Sequence, residues 1–256
     1  MYHPRNACVV TGSSSGIGAA TARPYAKEGW DVVLNFAHHE APAQAVAAQC
    51  QPLGAEVLIV RCDVSQDADC RHLAAEVEAT FGRADVLVNN AGTTKFVGLK
   101  DMDGLDADDF HRIYGVKVIG PYQRTRALLP LLQRSPGAGV VNISSIAGTL
   151  AFGSSMAYIA SKGSLNALTL GLARTLGPQV RVNAIAPGFV ETPRLKSGLG
   201  AERYETNRAG YIARASLKEV MAPEDIADAA WWLGACAAKT TGEVATVGAG
   251  IGITAA

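Results

Sequence analysis

The chain has 256 residues, 48% of them hydrophobic, enough to bury a large core within one α/β domain. Its 23 basic side chains balance 23 acidic ones, so no net field draws it to nucleic acid or to a charged membrane surface. No apolar run approaches the ~20 residues that a bilayer span requires, and the first apolar stretch, Ala7–Val10, is too short for a signal-peptide core. The five cysteines, Cys8, Cys50, Cys62, Cys70 and Cys236, never form a CxxC pair, and no HExxH is present. No disulfide framework and no metal site are expected, and a reducing cytoplasm fits.

In chain order, Ala7–Val10 reads as a strand, then a glycine-rich turn and a helix over 18–28. A strand over 31–35, a helix over 41–51, a strand over 56–61 and a helix over Asp67–Phe81 continue the alternation. There follow a strand over 86–88, a long helix over 106–132, a strand over 140–143, a helix over 156–177 and a strand over 180–186. Residues 191–216 have weak periodicity and read as a long loop, expected to be a substrate lid because long loops in compact domains are often functional. A helix over 223–237, opened by Pro223, Glu224 and Asp225, and a strand over 243–247 complete the pattern. The strands are continuously apolar, as strands buried on both faces are. The rhythm predicts a doubly wound, Rossmann-type parallel sheet with helices on both faces, one domain over 1–256, its ligand beyond the carboxyl ends of the strands.

The turn after the first strand is Thr11-Gly12-Ser13-Ser14-Ser15-Gly16-Ile17-Gly18. Gly12 allows a tight turn, Gly16 and Gly18 allow close approach, and the helix N-terminus offers free N–H groups to a pyrophosphate. Gly12, Ser14, Ser15, Gly16, Ile17 and Gly18 are therefore candidate cofactor residues. Further on stand Asn89-Asn90-Ala91-Gly92, Asn142-Ile143-Ser144-Ser145, Tyr158-Ile159-Ala160-Ser161-Lys162 and the strand from Arg181 that ends in Pro187-Gly188. In this order and over almost the whole chain, these segments resemble the short-chain dehydrogenase/reductase family with its TGxxxGxG, NNAG, serine and YxxxK motifs.

The chemistry can also be argued from the residues. Tyr158 and Lys162 are four apart and share a helix face. A neighbouring ammonium favours the phenolate, so the tyrosine is expected to titrate lower than usual and to act as general acid in reduction or base in oxidation. Ser145 follows a strand end and can hydrogen-bond the substrate oxygen. The resemblance implies that Lys162 also holds the nicotinamide ribose, that Asp63 and Val64 meet the adenine, and that Asn90, Ala91 and Gly92 lie along the cofactor. It also implies that Pro187, Gly188, Val190 and Thr192 flank the nicotinamide, that Asn89 is structural, and that the chain assembles as a homotetramer or homodimer. As a local alternative, Asp63 caps a helix or turn.

Two positions depart from the family. Lys117 stands where relatives place an asparagine that supports a proton relay through water, and Val247-Gly248-Ala249-Gly250 replaces a VDGG. An inward Lys117 ammonium would crowd Lys162, so its long stem is expected to carry the head out to solvent beside a locally distorted helix, and Lys117→Asn is expected to raise turnover. At the end of the second strand no acid precedes Glu40, so nothing repels a 2′-phosphate, although no arginine follows and Ser15 stands where many phosphate-preferring relatives carry a base. NADP(H) is expected over NAD(H). The substrate is expected to be a small-molecule carbonyl or alcohol, such as a 3-oxoacyl compound, a ketone or a sugar. The competing expectation is a cofactor-binding sensor or scaffold that has lost turnover.

Overall fold

The computed structural model describes residues 5–253. In chain order the elements are β1 (Ala7–Val10), α1 (Gly16–Lys27), β2 (Asp31–Phe36), α2 (Ala41–Cys50), β3 (Val57–Arg61), α3 (Asp67–Phe81) and β4 (Val86–Asn89). Then come α4 (Ala107–Tyr114), a π-helical turn (Gly115–Ile119), α5 (Gly120–Gln133), β5 (Ala138–Ile143), α6 (Ala147–Leu150) and α7 (Met156–Leu176). The chain closes with β6 (Val180–Pro187), α8 (Pro193–Leu199), α9 (Ala201–Arg214), α10 (Pro223–Trp231), a second π-helical turn (Trp232–Cys236) and β7 (Val244–Val247).

The strands form one parallel, seven-stranded sheet in the order β3-β2-β1-β4-β5-β6-β7. Alternate side chains of each strand enter different layers, which is why the strands carry no polar face. Cys8 and Val10 of β1 pack with Tyr25 of α1, Val46 of α2 and Ile226 of α10. Ala7 and Val9 join Leu73 of α3 and Leu128 of α5 on the other side. The chain reverses direction across the sheet between β1 and β4, so a crevice opens beyond their carboxyl ends.

Two expectations change. The helix expected over 106–132 is interrupted by the π-turn at Gly115–Ile119, the local distortion anticipated beside Lys117. Residues 191–216 are largely helical rather than a loop. Thr192 caps α8 by accepting from the Leu195 N–H at 3.3 Å, with Pro193 in the first turn. Buried Tyr204 and Tyr211 of α9 are seven residues apart, two turns on one face, and each ring contacts Phe189.

Candidate active site

The turn between β1 and α1 is held from beneath by two asparagines. The Gly12 N–H donates to Asn35 Oδ1 at 3.1 Å, and Asn35 Nδ2 donates to the Cys62 carbonyl at 2.9 Å. Asn90 Nδ2 donates to the carbonyls of Thr11 at 2.9 Å and Gly12 at 3.1 Å. Asn90 thus shapes the turn as well as lining the cleft. Gly12 has φ +61°, and a Cβ there would stand 2.8 Å from the Ala91 Cα. A Cβ on Gly18 would stand 2.4 Å from both Asn90 Nδ2 and the Gly12 carbonyl oxygen, so no side chain fits. Ser15, the N-cap of α1, makes no side-chain capping bond, leaving the first amides of the helix available to an anion.

Ser14, Ser15, Gly16 and Ile17 form one wall of a cleft of about 1230 Å³ that Asp63, Val64, Asn90, Ala91, Gly92, Pro187, Gly188, Val190 and Thr192 also line. Gly12 lines it too, whereas Gly18 lies just behind, buried in α1. Asp63 Oδ1 accepts from the Ser65 N–H at 3.0 Å and the Ser65 hydroxyl at 2.8 Å, so the turn-forming alternative describes what this oxygen does. The residues fit a dinucleotide: a glycine cradle that a Cβ would fill, uncapped helix amides for its pyrophosphate, and a crevice at the reversal of strand order.

The other end of the cleft gathers Ser145, Tyr158 and Lys162. Ser145 lies two residues beyond β5, its Oγ accepting from the Ala147 N–H at 3.1 Å, and it lines the same end of the cleft as Tyr158. Ser155 caps α7 by accepting from the Tyr158 N–H at 3.3 Å, which fixes the tyrosine in the helix's first turn. One turn on, buried Lys162 donates to the Ile143 carbonyl at 2.6 Å, its Nζ 5.7 Å from the centre of the Tyr158 ring.

The expected lowering of the Tyr158 pKa is not what this geometry produces. Burial pushes the phenol up, while the Ser145 hydrogen bond and the Arg194 charge pull it back. The reason is visible in Lys162, which burial brings down to about 7, so near neutrality it is only partly an ammonium.

Residues 12–252 match a family described as enoyl-(acyl carrier protein) reductase. The chain is 41% identical over 243 residues, 94% of each sequence, to a protein of Streptomyces violaceoruber assigned as ketoacyl reductase 2 of the granaticin polyketide synthase. It is 32% identical to the L-rhamnose 1-dehydrogenase (NAD(P)(+)) of Sphingomonas sp. strain SKA58, over 95% of this chain and 94% of that one. A crystal structure assigned to the short-chain dehydrogenases/reductases, from Burkholderia xenovorans, superposes with a TM-score of 0.90 at 42% identity, over 98% of this chain and 99% of that one. This chain belongs to the short-chain dehydrogenase/reductase family. It is an oxidoreductase that uses a nicotinamide cofactor and works between a carbonyl and an alcohol.

Within this short-chain dehydrogenase/reductase, Lys117 corrects the sequence reading. The side chain is 8% exposed and turns inward, not out to solvent. Its Nζ lies 5.1 Å from the Tyr158 ring centre and only 2.3 Å from where a Cβ on Gly92 would stand. The bare glycine beside the cleft is what leaves room for the head. Burial, then the charges of Lys162 and Arg194, hold Lys117 well below the usual lysine range.

Three further groups escaped the sequence reading. Asn35 supports the glycine turn, and its place late in an apolar strand is the signal it offered. Arg194 of α8 reaches across the cleft to donate to the Gly92 carbonyl. Phe96 is the floor on which α8 rests, since a Cβ on Gly198 would stand 2.0 Å from its ring. At the far end of α9 the Tyr211 hydroxyl donates to the Gly248 carbonyl at 2.7 Å.

Proposed function

We propose that this enzyme reduces a 3-oxoacyl compound, a ketone or a sugar carbonyl with NADP(H) in preference to NAD(H), with Ser145, Tyr158 and Lys162 as its catalytic residues. The observation that carries this reading is the meeting of those three side chains at one end of a cleft whose other end is the glycine turn. When bound, the cofactor supplies or accepts the hydride. The amides around Gly12, Ser14, Ser15, Gly16, Ile17 and Gly18 hold its pyrophosphate. Asp63 and Val64 flank the adenine, and Asn90, Ala91 and Gly92 run alongside. Pro187, Gly188, Val190 and Thr192 face the nicotinamide, and Lys162 holds the ribose.

In reduction, Ser145 donates a hydrogen bond to the substrate oxygen and Tyr158 transfers its phenolic proton to that oxygen. In oxidation the phenolate takes the proton back. The raised Tyr158 phenol suits the acid role, because the proton is held until the substrate oxygen gains charge.

The preference for NADP(H) is supported at the β2 end of the cleft. His38 and His39 line it, no carboxylate does so there, and Arg61 of neighbouring β3 donates to the Ala37 carbonyl at 3.3 Å. A positive and neutral surroundings favour a 2′-phosphate over a bare ribose hydroxyl. Free Cys8, Cys50, Cys62, Cys70 and Cys236 support work in the cytoplasm. Exposed Phe110, Ile119 and Tyr122, in and around α4 and α5, support a homotetramer or homodimer.

The test is steady-state reduction of ethyl acetoacetate by NADPH and by NADH, in the wild type and Tyr158→Phe. Turnover should fall about a hundredfold or more in the variant, with NADPH binding within a few-fold of wild type and NADPH the better cofactor. Near-normal turnover in Tyr158→Phe would remove the mechanism. Tight NADPH binding without turnover of any ketone or alcohol would favour the sensor or scaffold reading.

A further inference from the structure

Five cations line the cleft: Arg112, Lys117, Lys162, Arg194 and Arg214. Against them stands one carboxylate among the described residues, Asp63, two residues beyond the edge strand β3. Three of the cations are engaged within the chain. Arg112 donates to Asp109 Oδ1 at 2.9 Å, Lys162 to the Ile143 carbonyl at 2.6 Å, and Arg214 to the Gly210 carbonyl at 3.0 Å while it lies over the Phe152 ring. Arg194 has the Gly92 carbonyl for its one acceptor among the described residues. Lys117 has none among them, and its Nζ stands 5.1 Å from the centre of the Tyr158 ring, beside the bare Cα of Gly92.

Lys117 and Arg194 thus bring two cationic heads from different elements, the π-turn and α8, to the same residue. Lys117 is more than nine-tenths buried. A buried cation is costly unless an anion or a set of acceptors joins it. The chain offers Lys117 neither. The charges that face it are Lys162 of α7 and Arg194 of α8, both of its own sign. On α4, the Asp109 carboxylate is already held by Lys95 and Arg112. The missing partner belongs to a ligand. Its place beside the Tyr158 ring puts it on the substrate, because the cofactor's pyrophosphate goes to the glycine turn at the other end of the cleft.

We propose that Lys117 and Arg194 form an anion subsite that selects a substrate with a carboxylate close to its carbonyl, a short 3-oxo acid in preference to its neutral ester or thioester. This narrows the substrate class proposed above and rests on Tyr158 marking the reacting carbonyl. The Arg194 guanidinium presents a planar fork of donors that suits a carboxylate, and the Lys117 ammonium adds a compact charge. The electrostatics give the subsite a signature. Burial and the like charges of Lys162 and Arg194 hold Lys117 well below the usual lysine range, and a bound carboxylate raises it again. The acid therefore binds with uptake of a proton from solvent, and the ester binds without it.

The experiment compares acetoacetate with ethyl acetoacetate in wild type, Lys117→Met, Lys117→Gln and Arg194→Gln, the two lysine variants guarding against one that does not fold. Steady-state reduction by NADPH gives kcat/KM for the acid relative to the ester. That ratio should fall about thirtyfold in the Lys117 variants and about tenfold in Arg194→Gln. Calorimetry on the NADP+-loaded enzyme, where neither ketone can be reduced, reads binding without turnover. Run in two buffers of different ionisation enthalpy, it should show proton uptake with acetoacetate in wild type and much less in Lys117→Met. A ratio unchanged in the Lys117 variants, or acid binding without proton uptake in wild type, overturns the subsite. So does a loss of NADPH affinity with the acid-to-ester ratio kept, which would give the two cations to the cofactor. Tyr158→Phe is read separately. Retained turnover there removes the acid–base assignment, while calorimetry still shows whether the cleft holds the acid through Lys117.

Discussion

Buried cations divide this molecule into two regions that treat charge in opposite ways. In the scaffold, Arg181 of β6 donates to the carbonyls of Leu233 at 2.7 Å, Ala237 at 3.0 Å, Gly234 at 2.5 Å and Gly137 at 3.3 Å. Three of these acceptors lie in or at the end of the π-turn Trp232–Cys236, where widened helical backbone leaves carbonyls to be satisfied. Arg124 of α5 donates through Nε to Asn89 Oδ1 at 2.8 Å, and Asn89 Nδ2 donates in turn to Asn142 Oδ1 at 2.9 Å. Asn142 then donates to the Thr169 hydroxyl at 2.9 Å, so one chain of bonds joins α5, β4, β5 and α7. In the site, by contrast, Lys117 has another lysine for a neighbour. A guanidinium in a ring of carbonyls stays charged and holds backbone together. Two buried amines near each other are easily deprotonated.

Breaking the scaffold side gives the larger effects. Arg181→Leu leaves three buried carbonyls and a part-buried one without this donor and should cost about 3 kcal/mol or more in urea unfolding. The residual folded enzyme should keep its KM for ketone and cofactor. An unfolding midpoint within error of wild type would show that the carbonyls find other donors. Arg124→Met should cost less, about 1 to 2 kcal/mol. Its Nη2 already has no hydrogen-bond partner, its contact to the Val64 carbonyl is long at 3.5 Å, and burial lowers its pKa to about 10. A loss larger than that of Arg181→Leu would mean that the Asn89–Asn142 chain depends on Arg124 for its orientation.

The sequence made the scaffold legible because its signals are local. Continuous apolar runs mark strands covered on both faces, and the turn after β1 has glycines where a Cβ would strike Ala91 or Asn90. The four-residue spacing of Tyr158 and Lys162 is likewise a local signal. The site was less legible wherever a long side chain had a choice. Lys117 could have turned either way, and the decision rests on Gly92, remote in sequence, leaving a void beside the cleft. The pKa of Tyr158 was misjudged for the same reason: spacing shows that a lysine is near, not that burial has stripped much of its charge. The helices α8 and α9 were hidden by exposed, charged faces, although Thr192-Pro193 and the Tyr204–Tyr211 interval were readable as signs of them. Of the two π-turns, the one at Gly115–Ile119 was signalled by Lys117 in place of an asparagine, whereas nothing in the segment around Trp232–Cys236 pointed to the other.

The smallest effect is the most telling about the lysine side of the comparison, because its sign is unusual for a buried position. Lys117→Met replaces a desolvated amine by an apolar side chain of similar length, so the variant should be as stable as wild type or more stable by about 1 kcal/mol near neutrality. The pH dependence follows from linkage. Burial sets Lys117 well below its ordinary 10.5 and Lys162 at about 7, so between those values the unfolded chain binds more protons than the folded one. Wild-type stability associated with the pair therefore rises with pH across this window and is lost as pH falls toward 7. The variant lacks one of the two depressed groups and should lose less over the same range. Its advantage should grow on going from about pH 10 to about pH 7, by at most about 1.4 kcal/mol per unit, the limit for a difference of one proton. Urea unfolding of the two proteins at four pH values measures it. An advantage that shrinks as the pH falls would mean that Lys117 is at home as a cation, and the contrast with the carbonyl-ringed arginines would then be lost.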